Sequence, residues 1–561
     1  MEQIREQISE VVARLFGVND IKIELTDVPS EIAGDYACNV AMRLARQVGK
    51  SPRQIAEEII AELSKASEYV FSVAGPGFIN VEISGRNLQA ALAAQWSEHY
   101  GDNDSGTGKT ALVEFPSTNI AKPYSVGHLR PGTQGWAAKM VLEANGWQVT
   151  TDNHLGDVGT PFGVWAVGFR RSGKNIDEVT VYDLGQIYIQ MKADLKAEAK
   201  AGKHNLADEV QSWLLKLEAK DPEAVALSTR FKEISLQHTH EVMGRLRIAT
   251  DLEMGESCFV ERGKAAVKQY LKEGLFEEND DGSVICRLDE FGIDVPMLML
   301  KSNGAALYAT TDLGCLLYRA EELRPERIIY AVGAEQKFYF EQLFAMAKKI
   351  GLKIDNYHLW FGTIDQITPE GKREKMSSRK GVVLMEELLD DAEARVRQNF
   401  GAELDDADIA KIAVGAIKYS DFVADRKTGI LYDPDKIFAL TGQSGPFCQY
   451  ADVRMRRILE KNAAFARVDF SGYDFAAEKP ILQLLLKFPT LVRGVCAEFE
   501  MHKLAGFCFE LAQELNRYYE KAPISSADEA TKSARLWTIE KADSVLTRAL
   551  ELLGIEVPAK M

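Results

Sequence analysis

Cysteine is scarce in this chain, with seven residues in 561 and none spaced as a CxxC pair. That scatter argues against a disulfide framework and against structural zinc. Long apolar runs are missing as well. No uninterrupted stretch reaches the roughly 20 residues that span a bilayer as a helix. The first ten residues, Met1 to Glu10, lack the basic and apolar regions of a signal peptide. A cytoplasmic location with no membrane partner is the expectation. Positive charge is in deficit, since 67 Lys+Arg face 83 Asp+Glu and leave a net −16. A generic nucleic-acid binder needs a basic surplus, so DNA is not an expected partner and any RNA contact has to be a local patch. From Leu440 to the end there are 16 residues of each sign, so the rest of the chain carries the whole deficit. Histidine offers little for a metal. His238 and His240 stand two apart without further spaced ligands, and no protein-bound metal site is expected.

What is present is ordinary in bulk and specific in two places. Apolar residues make up 46% and charged residues 27%, as in soluble globular proteins, and the length suits about three or four domains. The first specific stretch is Leu112-Val-Glu114-Phe-Pro-Ser117-Thr-Asn119-Ile-Ala-Lys122-Pro-Tyr-Ser125-Val-Gly127-His128-Leu-Arg130. Leu112 to Phe115 has strand length and character, Pro116 and Pro123 exclude a helix between them, and a helix runs from Gly127 to a stop at Asn145-Gly146. A helix start with glycine and histidine suits a phosphate. A tight turn around a satisfied histidine gives the same pattern. The second stretch is Gly371-Lys-Arg-Glu-Lys375-Met376-Ser377-Ser378-Arg379-Lys380-Gly381, with five cations in eleven positions. It reads as a solvated basic loop or as a mobile clamp for a triphosphate.

Together, about 240 positions apart, the two stretches resemble the HIGH and KMSKS signatures of class I aminoacyl-tRNA synthetases. Ser117-Thr-Asn119-Ile-Ala-Lys122-Pro with Gly127-His128-Leu-Arg130 is similar to arginyl-tRNA synthetases in particular. Two positions depart from the signatures. Ser125 replaces the first histidine of HIGH, and Ser378 the second lysine of KMSKS.

In chain order, residues 1–105 read as a small α+β domain. Ile4, Ile8, Val11, Val12 and Leu15 share a helical face, Ile21–Leu25 alternates like a strand, and Ala37–Val48 is helical. Ser51-Pro52-Arg53-Gln54 is a helix start with a capping box, and Val70–Ala74 pairs with Phe78–Ile83 across Gly75-Pro76-Gly77. Residues 110–385 read as a nucleotide fold in two halves. Its second strand runs from Trp147 to Thr151 into the glycine-rich His154-Leu-Gly156-Asp157-Val-Gly159, and a charged helical insertion covers about 171–280. The second half returns at Val284 and contains Met297–Leu300 and Arg327–Val332 as buried-type strands. A helical connection follows over 386–440, then a helical region over 441–561.

The resemblance covers essentially the whole chain. It implies a multidomain α/β protein with a Rossmann-type class I catalytic domain, a small N-terminal α+β domain touching the tRNA elbow, and a C-terminal all-α anticodon-binding domain. It implies arginine–tRNA ligase activity with ATP and Mg²⁺, with L-arginine and tRNA(Arg) as partners, in a monomer. By residue, it implies Lys122, His128, Lys375 and Lys380 as catalytic, and Ser125, Gly127, His128, Lys375, Met376 and Ser377 at ATP. Glu114, Ser117, Asn119, His154, Tyr308, Asp312 and Gln336 would hold arginine, and Arg454, Arg457, Tyr518, Tyr519 and Met561 would face tRNA. The alternatives are a non-catalytic tRNA-binding scaffold or another class I enzyme such as the cysteinyl one. The latter needs zinc-binding cysteines, and Cys258, Cys286 and Cys315 lack the spacing.

Overall fold

The computed structural model describes the chain except residues 1, 29–33, 66, 68, 158–160, 369–370, 377–382 and 402. Gly159, Ser377, Ser378, Arg379 and Lys380 therefore lie outside the described residues. Two compact units are present. The first comprises residues 1–100, 463–487 and 514–542, and the second 101–462, 488–513 and 543–561.

In the first unit the chain runs α1 (Glu2–Phe16), β1 (Leu25–Asp27), β2 (Tyr36–Cys38), α2 (Val40–Val48), α3 (Pro52–Leu63), β3 (Val70–Ala74), β4 (Phe78–Glu82) and α4 (Gly85–Gln95). The strands form an antiparallel sheet in the order β1-β2-β4-β3. Ile4, Ile8 and Val12 of α1 are fully buried, as their spacing predicts, while Leu15 at the helix end is exposed. The predicted capping box forms: Ser51 accepts from the Gln54 backbone and the Gln54 side chain accepts from the Ser51 backbone. Two expectations change. Only Leu25 of the Ile21–Leu25 run enters a strand, and residues 36–38, part of which was expected to be helical, pair with β4. Tyr36 and Cys38 point into the core between Ile79 and Val81, and that burial outweighs helical preference.

The second unit contains β5 (Thr110–Glu114), α5 (Leu129–Ala144), β6 (Gln148–Asp152) and the helices α6 (Pro161–Ser172), α7 (Val181–Lys200), α8 (Asn205–Glu218), α9 (Pro222–Arg245) and α10 (Val260–Lys272). Then come β7 (Glu277–Glu278), β8 (Val284–Leu288), β9 (Ile293–Leu300), α11 (Tyr308–Tyr318), β10 (Arg327–Tyr330), α12 (Lys337–Lys349), β11 (Asp355–His358), β12 (Ile364–Ile367) and β13 (Arg373–Lys375). It continues through α13 (Met385–Phe400), α14 (Asp406–Phe422), β14 (Ile430–Leu431), α15 (Pro434–Ile437) and α16 (Gly445–Lys461). The last helices, α17 (Lys479–Glu498), α18 (Met501–Lys521) and α19 (Glu529–Leu552), contribute residues to both units. By length and composition α17 alone among the described helices is apolar enough to cross a membrane. It nevertheless carries Lys487 and Arg493, and Leu482, Leu485, Phe488, Val492 and Val495 are fully buried within the protein.

The parallel sheet has the order β11-β10-β5-β6. From β5 the chain passes through α5 to β6 on one side, and from β10 through α12 to β11 on the other. Two neighbouring strands whose connections diverge leave a crevice beyond their C-terminal ends, which is where open α/β sheets bind ligands. Met297–Leu300 does not join this sheet. It lies in β9 of a separate antiparallel sheet with β7 and β8. There Met297 and Met299 face the core while Val295 and Leu298 are exposed, so only one face of the strand is covered.

Candidate active site

Glu114 ends β5 opposite Tyr330 at the end of β10. The segments that follow, through Asn119 and through Gln336, line two cavities that share Ser117, Val332 and Gln336. Ser117 has a backbone φ of 55°. A side chain in that left-handed region costs on the order of 1–3 kcal/mol, and such outliers gather at ligand clamps.

The larger cavity, about 450 Å³, brings together all seven residues expected at arginine: Glu114, Ser117, Asn119, His154, Tyr308, Asp312 and Gln336. Leu316, Tyr330, Phe340 and Leu343 give it an apolar wall. Asp312 accepts from the Tyr339 hydroxyl, and His154 Nε2 stands 3.8 Å from its other oxygen. Burial pushes the Asp312 carboxyl up from its usual value. Glu114 is already engaged. Its Oε2 lies 2.6 Å from the guanidinium of Arg319, which also meets Asp152 at 2.7 Å. The Ser117 hydroxyl donates to Glu114 Oε1 at 3.3 Å. Glu256, on a short turn before α10, completes the wall. Burial first, and then the charges of Asp312, Asp157 and Glu114, push its carboxyl up to about 8. Among the described residues, three carboxylates thus face this cavity, and Arg319, the one buried cation on its wall, is shared with a fourth carboxylate. The site is short of a positive charge.

Glu256, Arg319 and Tyr339 were not found by sequence reasoning. Arg319 had a readable signal: it continues the face of Tyr308, Asp312 and Cys315 just past α11. Glu256 had none, because nothing local relates it to β5 or α11. Gly156 shows why its loop is glycine-bearing. A Cβ there would fall 2.5 Å from Asn119 Oδ1 and displace that side chain.

The smaller cavity contains Gly127, Lys375 and Met376 from the two signature stretches, with Arg130, Phe361 and Gly362. Lys375 Nζ lies 3.7 Å from Glu335. Ser125, His128 and Lys122 line neither cavity. The Ser125 backbone N–H donates to His128 Nδ1 at 3.1 Å, which assigns the ring proton to Nε2. Burial takes the His128 pKa down to about 4, so the ring is a neutral N–H donor at neutral pH. Lys122 Nζ stands 5.9 Å from the Tyr188 ring, over which Lys192 also sits. Burial and then Lys192 lower its pKa. The sequence expectation therefore divides, with Gly127, Lys375 and Met376 on the cavity wall and Ser125 and His128 in the turn behind it.

Of the residues expected to face RNA, Arg457 and Tyr519 are exposed and Arg454 is half-buried. Tyr518 is a correction. Its ring is buried and its hydroxyl donates to the buried Glu478 at 2.6 Å, so it offers no surface to a tRNA. Met561 is half-buried against the core around Tyr124 and Met385.

Comparison with known proteins gives the same picture over the full length. The family described as "tRNA synthetases class I (R), catalytic domain" matches residues 87–433, "Arginyl tRNA synthetase N terminal domain" matches 2–83, and "DALR anticodon binding domain" matches 448–561. An arginine–tRNA ligase of Streptococcus pneumoniae is 33% identical, covering 100% of this chain and 99% of its own. One from Lactococcus lactis is 32% identical with the same coverage. The solved arginyl-tRNA synthetase of Thermus thermophilus aligns over 100% of both chains with a TM-score of 0.81 at 22% identity, a likeness of fold. A catalytic-domain match over more than half of the residues, with relatives above 30% identity end to end, decides the matter: the chain belongs to the arginyl-tRNA synthetase family.

Proposed function

We infer that the chain is an arginine–tRNA ligase that activates L-arginine with ATP and transfers it to the terminal ribose of tRNA(Arg). The observation that carries this reading is a cation-deficient cavity sharing Ser117, Val332 and Gln336 with a cavity that holds Gly127 and Lys375. A guanidinium is a planar fork of donors that pairs best with carboxylates. Asp312 and Glu256 supply the charge, Glu114 contributes what Arg319 leaves, and the apolar wall covers the methylenes. Asn119, Ser117 and Gln336 then orient the α-amino and carboxylate groups at the shared wall. There the carboxylate oxygen bonds to the α-phosphorus, the bond to the bridging oxygen breaks, and pyrophosphate leaves. In the second step a ribose hydroxyl attacks the acyl carbon and AMP departs.

The protein's part is positioning and charge stabilisation. Lys375 faces the β- and γ-phosphates, His128 Nε2–H serves as a neutral donor, and Lys122 and Lys380 complete the cationic set. Magnesium enters with the nucleotide as part of the substrate. Glu335, the one carboxylate on the described nucleotide wall, sits beside Lys375. A cytoplasmic reaction belongs to the same reading.

Supplying the full chain with ATP, unfractionated tRNA and each labelled amino acid in turn tests the reading. Acid-precipitable label is expected with arginine alone. Pyrophosphate exchange is expected to need tRNA. A chain that binds tRNA yet charges it with nothing is a scaffold, and the catalytic reading falls.

A further inference from the structure

Glu256 lines the amino-acid cavity from a turn of three residues, Glu256–Cys258, rather than from a strand or a long helix. Two backbone bonds lay the turn along the chain that leaves β6. The Leu155 N–H donates to the Met254 carbonyl at 3.2 Å, and the Glu256 N–H donates to the Leu155 carbonyl at 3.0 Å. One side chain then grips the turn. Asp157 Oδ1 accepts from the Ser257 backbone N–H at 2.8 Å, and its Oδ2 accepts from the Ser257 hydroxyl at 2.7 Å. The Asp157 side chain is 5% exposed, with Lys232 Nζ of α9 at 3.3 Å from Oδ2. Gly255 makes room for it. The φ of −76° there suits any residue, but a Cβ would fall 2.0 Å from Asp157 Oδ2. Electrostatics does not explain the arrangement. Burial first, then the charges of Asp312, Asp157 and Glu114, disfavour an ionised Glu256. Asp157 therefore makes its neighbour harder to charge, and what it supplies is position.

We propose that Asp157 is a positioning residue for arginine recognition: by holding Ser257 it fixes the turn that presents the Glu256 carboxylate to the guanidinium. The proposal rests on the reading of this cavity as the arginine site and names the support of one of its carboxylates. Pairing between a carboxylate and a guanidinium is directional, because two parallel bonds share one plane. A turn free to swing loses that alignment, and a misplacement of about 1 Å is enough to matter. The two bonds to Ser257 fix both the height and the tilt of the turn, and Lys232 keeps the carboxylate from turning away.

The test uses the full chain with tRNA in pyrophosphate exchange, about one pH unit above the Glu256 value of about 8, where that residue is charged with or without Asp157. Asp157→Asn should raise the KM for arginine about tenfold and leave the KM for ATP unchanged. Gly255→Ala, which alters no charge and puts a methyl group against Asp157, should act in the same direction. In a Glu256→Gln background neither substitution should add more than about twofold, because residues that act through one contact are not additive. A merely structural role would lower Tm, move both constants together and act equally in either background. Should Asp157→Asn fail to fold, Ser257→Ala at an exposed position removes one of the two bonds. It should raise the arginine KM about fourfold, again only while Glu256 is present. If Glu256→Gln raises the arginine KM but Asp157→Asn stays within about twofold, or multiplies with it, the Asp157 role alone falls. If Glu256→Gln leaves that KM unchanged, Glu256 does not meet the guanidinium and the role of Asp157 falls with it. Exchange that arginine does not support removes the arginine reading of the cavity itself.

Discussion

Asp312→Asn is the sharpest probe of the amino-acid cavity. The aspartate side chain is 24% exposed, opening into the cavity, and His154 beside it is 10% exposed, so its environment is neither bulk water nor dry interior. At an effective dielectric near 20, two unit charges about 4 Å apart attract by about 4 kcal/mol. The amide keeps the shape and one acceptor oxygen, which can still accept one hydrogen bond from the guanidinium. A hydrogen bond of about 1 kcal/mol thus survives. The net loss is about 3 kcal/mol, or roughly 150-fold in the KM for arginine, with the KM for ATP nearly constant. Steady-state exchange with arginine and ATP varied separately measures both. Citrulline supplies a second readout, because it lacks the cation. The unaltered enzyme should reject it by at least about 3 kcal/mol, and Asp312→Asn should narrow that gap. An arginine KM within about threefold of the original would refute the placement of the guanidinium at Asp312.

Glu256 predicts a proton count. Its carboxyl, raised from 4.5 to about 8 by burial and its acidic neighbours, keeps a proton in the empty folded protein that the unfolded chain has lost. Its stabilising contribution is present below pH 4.5 and is lost as pH rises through about 8. A bound guanidinium reverses the shift, so arginine should release up to about one proton near pH 7. Calorimetry in two buffers of different ionisation enthalpy counts it, and no release, or equal release from Glu256→Gln, would sink the idea. Lys375→Ala and Lys122→Ala should each lower kcat about a hundredfold, near 2.7 kcal/mol. Because only Lys375 lines the nucleotide cavity, it alone should also raise the KM for ATP, and normal charging by Lys122→Ala would remove that lysine from the chemistry. Lys418 is fully buried, with Nζ donating to the Gly554 carbonyl at 2.6 Å, and burial lowers its pKa to about 7. The unfolded chain keeps that proton up to 10.5, so stability should fall as pH drops from 10.5 towards 7. Lys418→Met should remove a slope of up to about 1.4 kcal/mol per pH unit, seen as Tm against pH for the two proteins; equal slopes would refute it.

Much of the local architecture was legible because it is written in short-range chemistry. The capping box at Ser51 and Gln54, the hairpin across Gly75-Pro76-Gly77 and the helix stop at Asn145-Gly146 each depend on residues a few positions apart. The seven arginine-site residues were reachable through motif resemblance, and the cavity gathers them all. Short strands fared worse. Residues 36–38 became β2 because β4 was there to cover them, and Met297–Leu300 pairs with β8 in a second sheet that leaves one of its faces uncovered.

By itself the chain determined that β5 leads through a proline-bound loop into a glycine-histidine helix start, and that a basic stretch follows far downstream. It also determined that α11 carries tyrosine and aspartate on one face. These are matters of period, punctuation and side-chain type. Only the tertiary structure decided which charges remain unmet. Arg319 reaches Glu114 and Asp152 and engages them, a turn before α10 delivers Glu256 to the same wall, and Asp421 on α14 pins Arg130 from across the unit. Each of these is a contact between segments distant in the chain. Whether a buried carboxylate is satisfied or waiting depends on the field of all its neighbours at once, which no local pattern contains.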